Sequence, residues 1–284
     1  MPRAERPAQY DAPVISGHIE AGERLSTGET ERVLEAFHRD GLAMIPGVLT
    51  RAEIDHLRGV TDRCFSDPVL LGTKYTSTTT DGSGGREGYV LRNTIELDAA
   101  FVDMLVREPI LGLAEAVLGP DCAFCGQNVI RNGPGQGVET WHVDDVVECP
   151  LPDEVPHHDR RGRMPVQWFT IQIPLSDVDS DADGPTQFVP GSQYSGRAPA
   201  SQEDLDFDGA GPVSVYCKAG DIYLHNNQTW HRGALVTGSR TRYLMQTQYQ
   251  AAWAFRRFAE YNRVPVPDTL LSKSSERVRA LLGR

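Results

Sequence analysis

Trp141-His142-Val143-Asp144 is the stretch from which both fold and chemistry are read. A β-strand sends alternate side chains to one face, so an extended chain here points His142 and Asp144 the same way. An imidazole beside a carboxylate makes two thirds of a divalent-metal site. The third ligand is expected to be a histidine from a distant strand. His231 is such a histidine, and Arg242 lies one strand-length beyond it. Two histidines and one carboxylate on one face of a metal leave the opposite face open, as in the facial triad of non-haem Fe(II) sites.

The segments around this stretch read as short strands. Residues 123–131, 166–175, 186–189, 213–218, 221–225 and 243–249 are rich in β-formers and separated by Gly/Pro turns such as Asn132-Gly133-Pro134-Gly135 and Pro190-Gly191-Ser192. Ahead of them the period is helical. Residues 29–40 place Val33, Leu34 and Phe37 on one face, with Gly41 as a stop. Thr50-Arg51-Ala52-Glu53 is a capping box for a second helix to about Ser66. Residues 99–107 and 110–118 read as two more helices, broken by Pro109 and stopped by Gly119, and residues 42–48 as a strand. The expectation is a mainly β fold, a sandwich or barrel, with flanking α-helices covering one sheet.

Residues 1–27 are polar and proline-containing and read as an N-terminal arm. Residues 73–88 have almost no apolar content. They read either as a surface loop or as a lid closing on substrate, with Tyr75 and Arg86 as contacts. The loop at 150–163 and the segment after Tyr249, which holds Trp253, are the other candidate pocket walls. Aromatic and arginine side chains in that last segment suit a pocket, a dimer contact or plain core packing, so both monomer and homodimer stay open.

With 284 residues, a single domain over 1–284 is the expectation. A net charge of −11 argues against a sequence-independent nucleic-acid partner and against an anionic membrane surface. A small-molecule substrate is the more natural partner. No run approaches the roughly 18 apolar residues of a membrane span, and residues 1–16 lack a signal-peptide core, which points to the cytoplasm. The five cysteines suggest reduced thiols rather than a disulfide framework.

Several features compete with this reading. His225 ends an expected strand and rivals His231, and Arg240 rivals Arg242. His157-His158 sits among Asp153, Glu154 and Asp159, but a flexible loop must lose ordering entropy that a strand has already lost. Cys122 and Cys125 are half a zinc site with no second pair. Asp179, Asp181 and Asp183 resemble the opening of an EF-hand loop, yet Pro190 stands where the bidentate glutamate belongs.

The combination of Trp141-His142-Val143-Asp144, Gly184-Pro185-Thr186-Gln187-Phe188-Val189-Pro190-Gly191-Ser192, Gly220-Asp221 and Trp230-His231-Arg232-Gly233 followed by Arg242 resembles the phytanoyl-CoA dioxygenase family of Fe(II)/2-oxoglutarate oxygenases. The pieces occur in family order over roughly residues 30–255. The resemblance implies a double-stranded β-helix (jelly roll, cupin-like), iron held by His142, Asp144 and His231, and 2-oxoglutarate and O2 as cosubstrates. It implies that Arg242 pairs with the distal carboxylate of 2-oxoglutarate. It places Thr186 and Gln127 in contact with that cosubstrate, with Trp168 as a wall. Asp144 keeps the carboxylate that related halogenases lack, so hydroxylation, desaturation or oxidative cyclisation is the implied outcome. A natural-product tailoring step is the implied setting. Two departures are Gln193 where members often have histidine, and Gly233 where many carry serine. Two other classes are a cupin-type metalloenzyme that does not use 2-oxoglutarate and a metal-free jelly-roll binding protein. The first leaves Arg242 without its acidic partner.

Overall fold

The computed structural model of the protein describes residues 8–10, 15, 19, 22–70, 75–79, 88–254 and 266–284. Two sheets make a jelly roll. The seven-stranded sheet runs β2 (Leu42–Ile45), β10 (Ile222–Asn226), β7 (Trp168–Pro174), β12 (Arg242–Gln250), β5 (Ala123–Asn132), β4 (Gly88–Arg92) and β3 (Thr76–Thr79). The five-stranded sheet runs β1 (Ala8–Gln9), β9 (Val213–Val215), β8 (Thr186–Phe188), β11 (His231–Gly233) and β6 (Val138–His142). Phe188 and Val215 from the second sheet meet Tyr223 and Leu244 from the first in one apolar cluster, which joins the two layers.

The larger sheet has two chemically different faces. In β7 the odd positions Phe169, Ile171 and Ile173 pack under the helices α1 (Thr27–Asp40), α2 (Arg51–Ser66), α3 (Ala99–Asp103) and α4 (Ile110–Leu118). The even positions Thr170 and Gln172 turn to the interior between the sheets. β12 repeats this, with Tyr243, Met245 and Tyr249 on the helix side and Arg242, Gln246 and Gln248 opposite. Strand alternation therefore lines the jelly-roll interior with polar groups while the main apolar core lies outside it, beneath the helices.

The helix caps follow the expected chemistry. Ser26 and Thr50 each close a capping box, with Glu29 and Glu53. Because Ser26 is the cap, α1 begins at Thr27, earlier than the apolar spacing alone indicates. Gly41 ends it at φ 73°, and its N–H donates to Phe37 O. A Cβ on Gly41 would lie 2.0 Å from Thr229 Oγ1, so this position needs glycine for space as well as for conformation.

Three expectations are corrected. Residues 73–88 do not form a wholly irregular loop, because Thr76–Thr79 pairs antiparallel with β4 at the sheet edge. Threonine is β-branched and suits a pleated edge without an apolar pattern. Arg86, and the rest of the expected lid between these strands, lie outside the described residues. Within the expected arm, Ala8–Gln9 adds a parallel strand to β9, and Ile15 and Ile19 enter the main core. The helix expected over 99–107 is only Ala99–Asp103. His231 lies on a strand, as expected of the third ligand; that strand, His231–Gly233, is short and held on both sides. No described helix is long and apolar enough to cross a membrane.

Candidate metal centre

β11 places His231 between two partners, opposite His142 on β6 and opposite Phe188 on β8. The two imidazoles meet across the strand pair with ring centroids 4.2 Å apart. Each ring is oriented by a backbone carbonyl. His142 Nδ1 lies 2.8 Å from Thr140 O, and His231 Nδ1 lies 2.8 Å from Thr229 O. A carbonyl only accepts, so the proton sits on Nδ1 in both rings and each Nε2 presents a lone pair. β6 ends at His142, and the chain turns so that Asp144 N–H donates to Asn227 O at 2.8 Å. The Asp144 Oδ1 then lies 3.8 Å from His142 Nε2 and 3.5 Å from His231 Nε2.

The three ligand atoms lie within 4.8 Å of one another. All three are acceptors aimed at a common point, an arrangement that repels itself unless a cation or proton sits between them. Burial and then the neighbouring His231 push the His142 imidazolium down to about 4. Burial alone would raise Asp144, but the charge of His231 and the bonds from His225 and His231 outweigh it and hold the carboxyl well below the usual range. Burial works against the His231 cation, yet Asp144 lifts it above its ordinary value. The donor set fits a divalent metal with a free face.

His225 is buried behind this trio. Its Nε2 lies 3.3 Å from Asp144 Oδ2 and its Nδ1 3.4 Å from Gln172 Nε2. Gln246 Nε2 donates to Gln172 Oε1 at 3.1 Å, which fixes the amide so that Gln172 donates to Nδ1. The remaining proton of His225 therefore points at Asp144. The rival histidine orients a ligand through its carboxylate.

At the near end of β12, Arg242 Nη2 donates to Thr186 Oγ1 at 2.6 Å. Thr186 Oγ1 is 2.8 Å from Tyr223 Oη, and burial pushes that phenol up to about 12, so it remains an O–H. Arg242 is 6% exposed, and its Nε has no partner among the described residues. Asn132, directly opposite on β5, is buried, and neither of its side-chain polar atoms has a partner among the described residues. A buried guanidinium without a carboxylate is costly, and a planar acceptor completes it. A Cβ on Gly233 would lie 3.7 Å from Arg242 Nη1, so the serine missing there would have faced this same pocket. Thr186 and Tyr223 supply hydroxyls in its place. Arg240 is excluded as a rival, because it pairs with Asp179 and Asp183 on the acidic turn.

The profile of the phytanoyl-CoA dioxygenase (PhyH) family matches residues 37–243. The chain belongs to the phytanoyl-CoA dioxygenase family. The matched stretch contains His142, Asp144, His231, Thr186 and Arg242. This PhyH-family chain is similar to the ectoine dioxygenase of Stutzerimonas stutzeri (strain A1501), 27% identical over 169 residues, covering 56% of this chain and 49% of that protein. The chain spans about half the length of the first curated relatives it matches. Two solved structures share its fold. The non-heme alpha ketoglutarate dependent epimerase SnoN from nogalamycin biosynthesis superposes with TM-score 0.60 at 20% identity, covering 80% of this chain and 85% of that one. HygX from Streptomyces hygroscopicus, solved with nickel, 2-oxoglutarate and hygromycin B, superposes with TM-score 0.59 at 17% identity, covering 81% and 88%.

Not every expected contact in this PhyH-family chain falls at the centre. Gln127 faces the helices, where it donates to Phe101 O at 3.0 Å and Thr247 Oγ1 at 3.2 Å and accepts from Thr94 Oγ1. Its neighbour Asn128, paired with inward-facing Gln246, takes the interior face. Trp168 pairs with Gln250, at the far end of nine-residue β12 from Arg242. At about 3.3 Å per residue that is roughly 26 Å, too far to wall anything held by Arg242. Trp168 instead lines a cavity of about 500 Å³ with Cys125, Asp145, Glu148, Gln248 and Gln250. Tyr75 donates to Glu96 at 2.9 Å, outside that cavity's lining. Trp253 is 52% exposed, beside the cavity residue Ala254. His157 Nδ1 lies 2.7 Å from His158 O, and His158 Nε2 lies 2.8 Å from Cys149 O.

Proposed function

We propose that this chain is a non-haem Fe(II)/2-oxoglutarate-dependent oxygenase acting on a small molecule. The observation that carries the reading is the pairing of two features in one polar interior. One is the His142, Asp144 and His231 acceptor set. The other is buried Arg242, with an unpartnered Nε beside Thr186 and Tyr223. The first would hold iron. The second would take the distal carboxylate of 2-oxoglutarate in a charge-assisted, bidentate contact. Bound iron supplies O2 activation coupled to the oxidative decarboxylation of 2-oxoglutarate to succinate.

The chain's own residues set the conditions for that chemistry. His142 and His231 present fixed Nε2 lone pairs because Thr140 and Thr229 hold their Nδ1 protons. His225 fixes the rotation of Asp144. The helix-covered sheet excludes water behind the site. Asp144 occupies a ligand position as a carboxylate, which supports hydroxylation, desaturation or oxidative cyclisation. A natural-product tailoring step is the proposed setting, supported by the fold shared with SnoN from nogalamycin biosynthesis and with HygX solved with hygromycin B bound.

Anaerobic addition of Fe(II) and 2-oxoglutarate tests the reading. A weak visible charge-transfer band is expected, lost in His231→Ala and shifted to higher 2-oxoglutarate in Arg242→Ala. An iron-loaded protein with no band at any 2-oxoglutarate concentration overturns it.

A further inference from the structure

The cavity beside the metal centre carries a charge pattern that the family reading does not explain. Its described lining holds two acids, Asp145 and Glu148, and no lysine, arginine or histidine. Trp168 supplies an aromatic wall, and Gln248 and Gln250 supply amides. Gln250 Nε2 is buried with no partner among the described residues. The cavity lies near the metal set, since its lining residue Asp145 directly follows Asp144. Gln248, Thr170 and His225 stand abreast on three adjacent strands, and His225 touches Asp144. At about 4.8 Å per strand spacing, Gln248 is roughly 10 Å from His225, a span that a small molecule fills.

Glu148 is fixed relative to the metal ligand. Asn227 Nδ2 donates to Glu148 Oε1 at 2.7 Å, while Asn227 O accepts the Asp144 N–H at 2.8 Å. Glu148 N–H donates to Gln228 Oε1 at 2.9 Å, which pins the backbone. One residue thus sets the acid and the iron ligand at a constant separation. A carboxylate has about four acceptor sites, so these contacts leave capacity for a ligand donor.

We propose that this cavity is the substrate subsite and that Glu148 is its specificity-determining residue, selecting a small molecule that carries a protonated amine. The proposal rests on the oxygenase reading for the word substrate. The amine would pair with Glu148, the carbon skeleton would lie on Trp168 with a cation–π component, and an acceptor on the ligand would satisfy Gln250 Nε2. Burial, and then the charge of Asp145, push the Glu148 carboxyl up to about 7.

The test uses the full chain loaded with Ni(II) and 2-oxoglutarate at pH 8. Two probes matched in shape, 2-phenylethylammonium and 2-phenylethanol, are titrated by calorimetry. The ammonium is expected to bind about tenfold more tightly, the scale of one charge-assisted bond. Glu148→Gln should abolish the preference and leave the alcohol unchanged. Glu148→Asp, which keeps the charge, should retain a preference and serves if the glutamine variant does not fold. No binding, no preference, or a preference that survives Glu148→Gln overturns the proposal. The Fe(II)/2-oxoglutarate band is recorded on the same preparations. A band without an ammonium preference removes the Glu148 assignment alone. A preference without a band removes the oxygenase reading and leaves a cation-binding cavity.

Discussion

His225 Nε2 approaches Asp144 Oδ2 at 3.3 Å, so the carboxylate of the acceptor trio is held from behind by a third histidine. Outer partners of this kind typically tune metal affinity by about 10- to 100-fold. His225→Ala is therefore expected to weaken Fe(II) binding in that range, while His142→Ala abolishes it. Anaerobic metal titration separates the two. An affinity in His225→Ala within twofold of the parent would show that the contact does not orient Asp144.

Arg242 meets Thr186 within a buried pocket, and its Nε has no partner among the described residues. Losing a charge-assisted contact costs about 1.5–3 kcal/mol, so Arg242→Ala should raise the 2-oxoglutarate requirement by about 10- to 100-fold. Thr186→Ala and Tyr223→Phe should each raise it less. The measurement is the concentration dependence of succinate formation. A requirement unchanged in Arg242→Ala assigns the guanidinium to structure alone.

Asp144 is the only carboxylate in the clustered acceptor set found among the described residues. Asp144→Gly should eliminate substrate oxidation as followed by product mass. Retained full turnover would sink the ligand assignment.

Glu148 gives a pH signature of stability. Its folded carboxyl titrates at about 7 against an ordinary value of 4.5. Between those values the folded chain keeps a proton that the unfolded chain has released, so stability falls as pH rises through this window. Below it, Glu148 is protonated in both states and its burial carries no charge penalty. Glu148→Gln should raise the thermal midpoint at pH 8 and change it little at pH 4. Equal shifts at both pH values would mean that ionisation is not the cause.

Gly41 connects a helix stop to the metal centre. A Cβ there would collide with Thr229 Oγ1, and Thr229 O is the carbonyl that orients His231. Gly41→Ala is expected to cost about 1–3 kcal/mol, from the strain of a left-handed alanine and the displaced neighbour. It should also weaken Fe(II) binding. Melting curves and metal titration on the same variant check both, and a lowered midpoint with unchanged affinity would break the connection.

The acceptor trio and Arg242 were legible because each rests on residue type and order along the chain. His142 and Asp144 sit two apart, His231 follows at strand-separated distance, and Arg242 begins the next strand. What failed needed pairing. Gln127 pairs with helix-facing Thr247 and Asn128 with inward-facing Gln246, and one residue of slip would exchange the two faces. The distance of Trp168 from Arg242 depends on register along β12, which residue order does not give. The task of His225 requires Gln172 and Gln246, which strand order alone brings together. Thr76–Thr79 was hidden because an edge strand can form without an apolar stripe.

The two-faced alternation of β7 and β12 separates what keeps the protein folded from what it reacts with. Exchanging Phe169 or Ile171 removes packing beneath the helices, whereas exchanging Thr170 or Gln248 alters the chamber between the sheets. Odd and even positions of one strand thus answer to different selective demands. A lineage built on this scaffold can drift toward new substrates through one parity of residues while the other parity stays still.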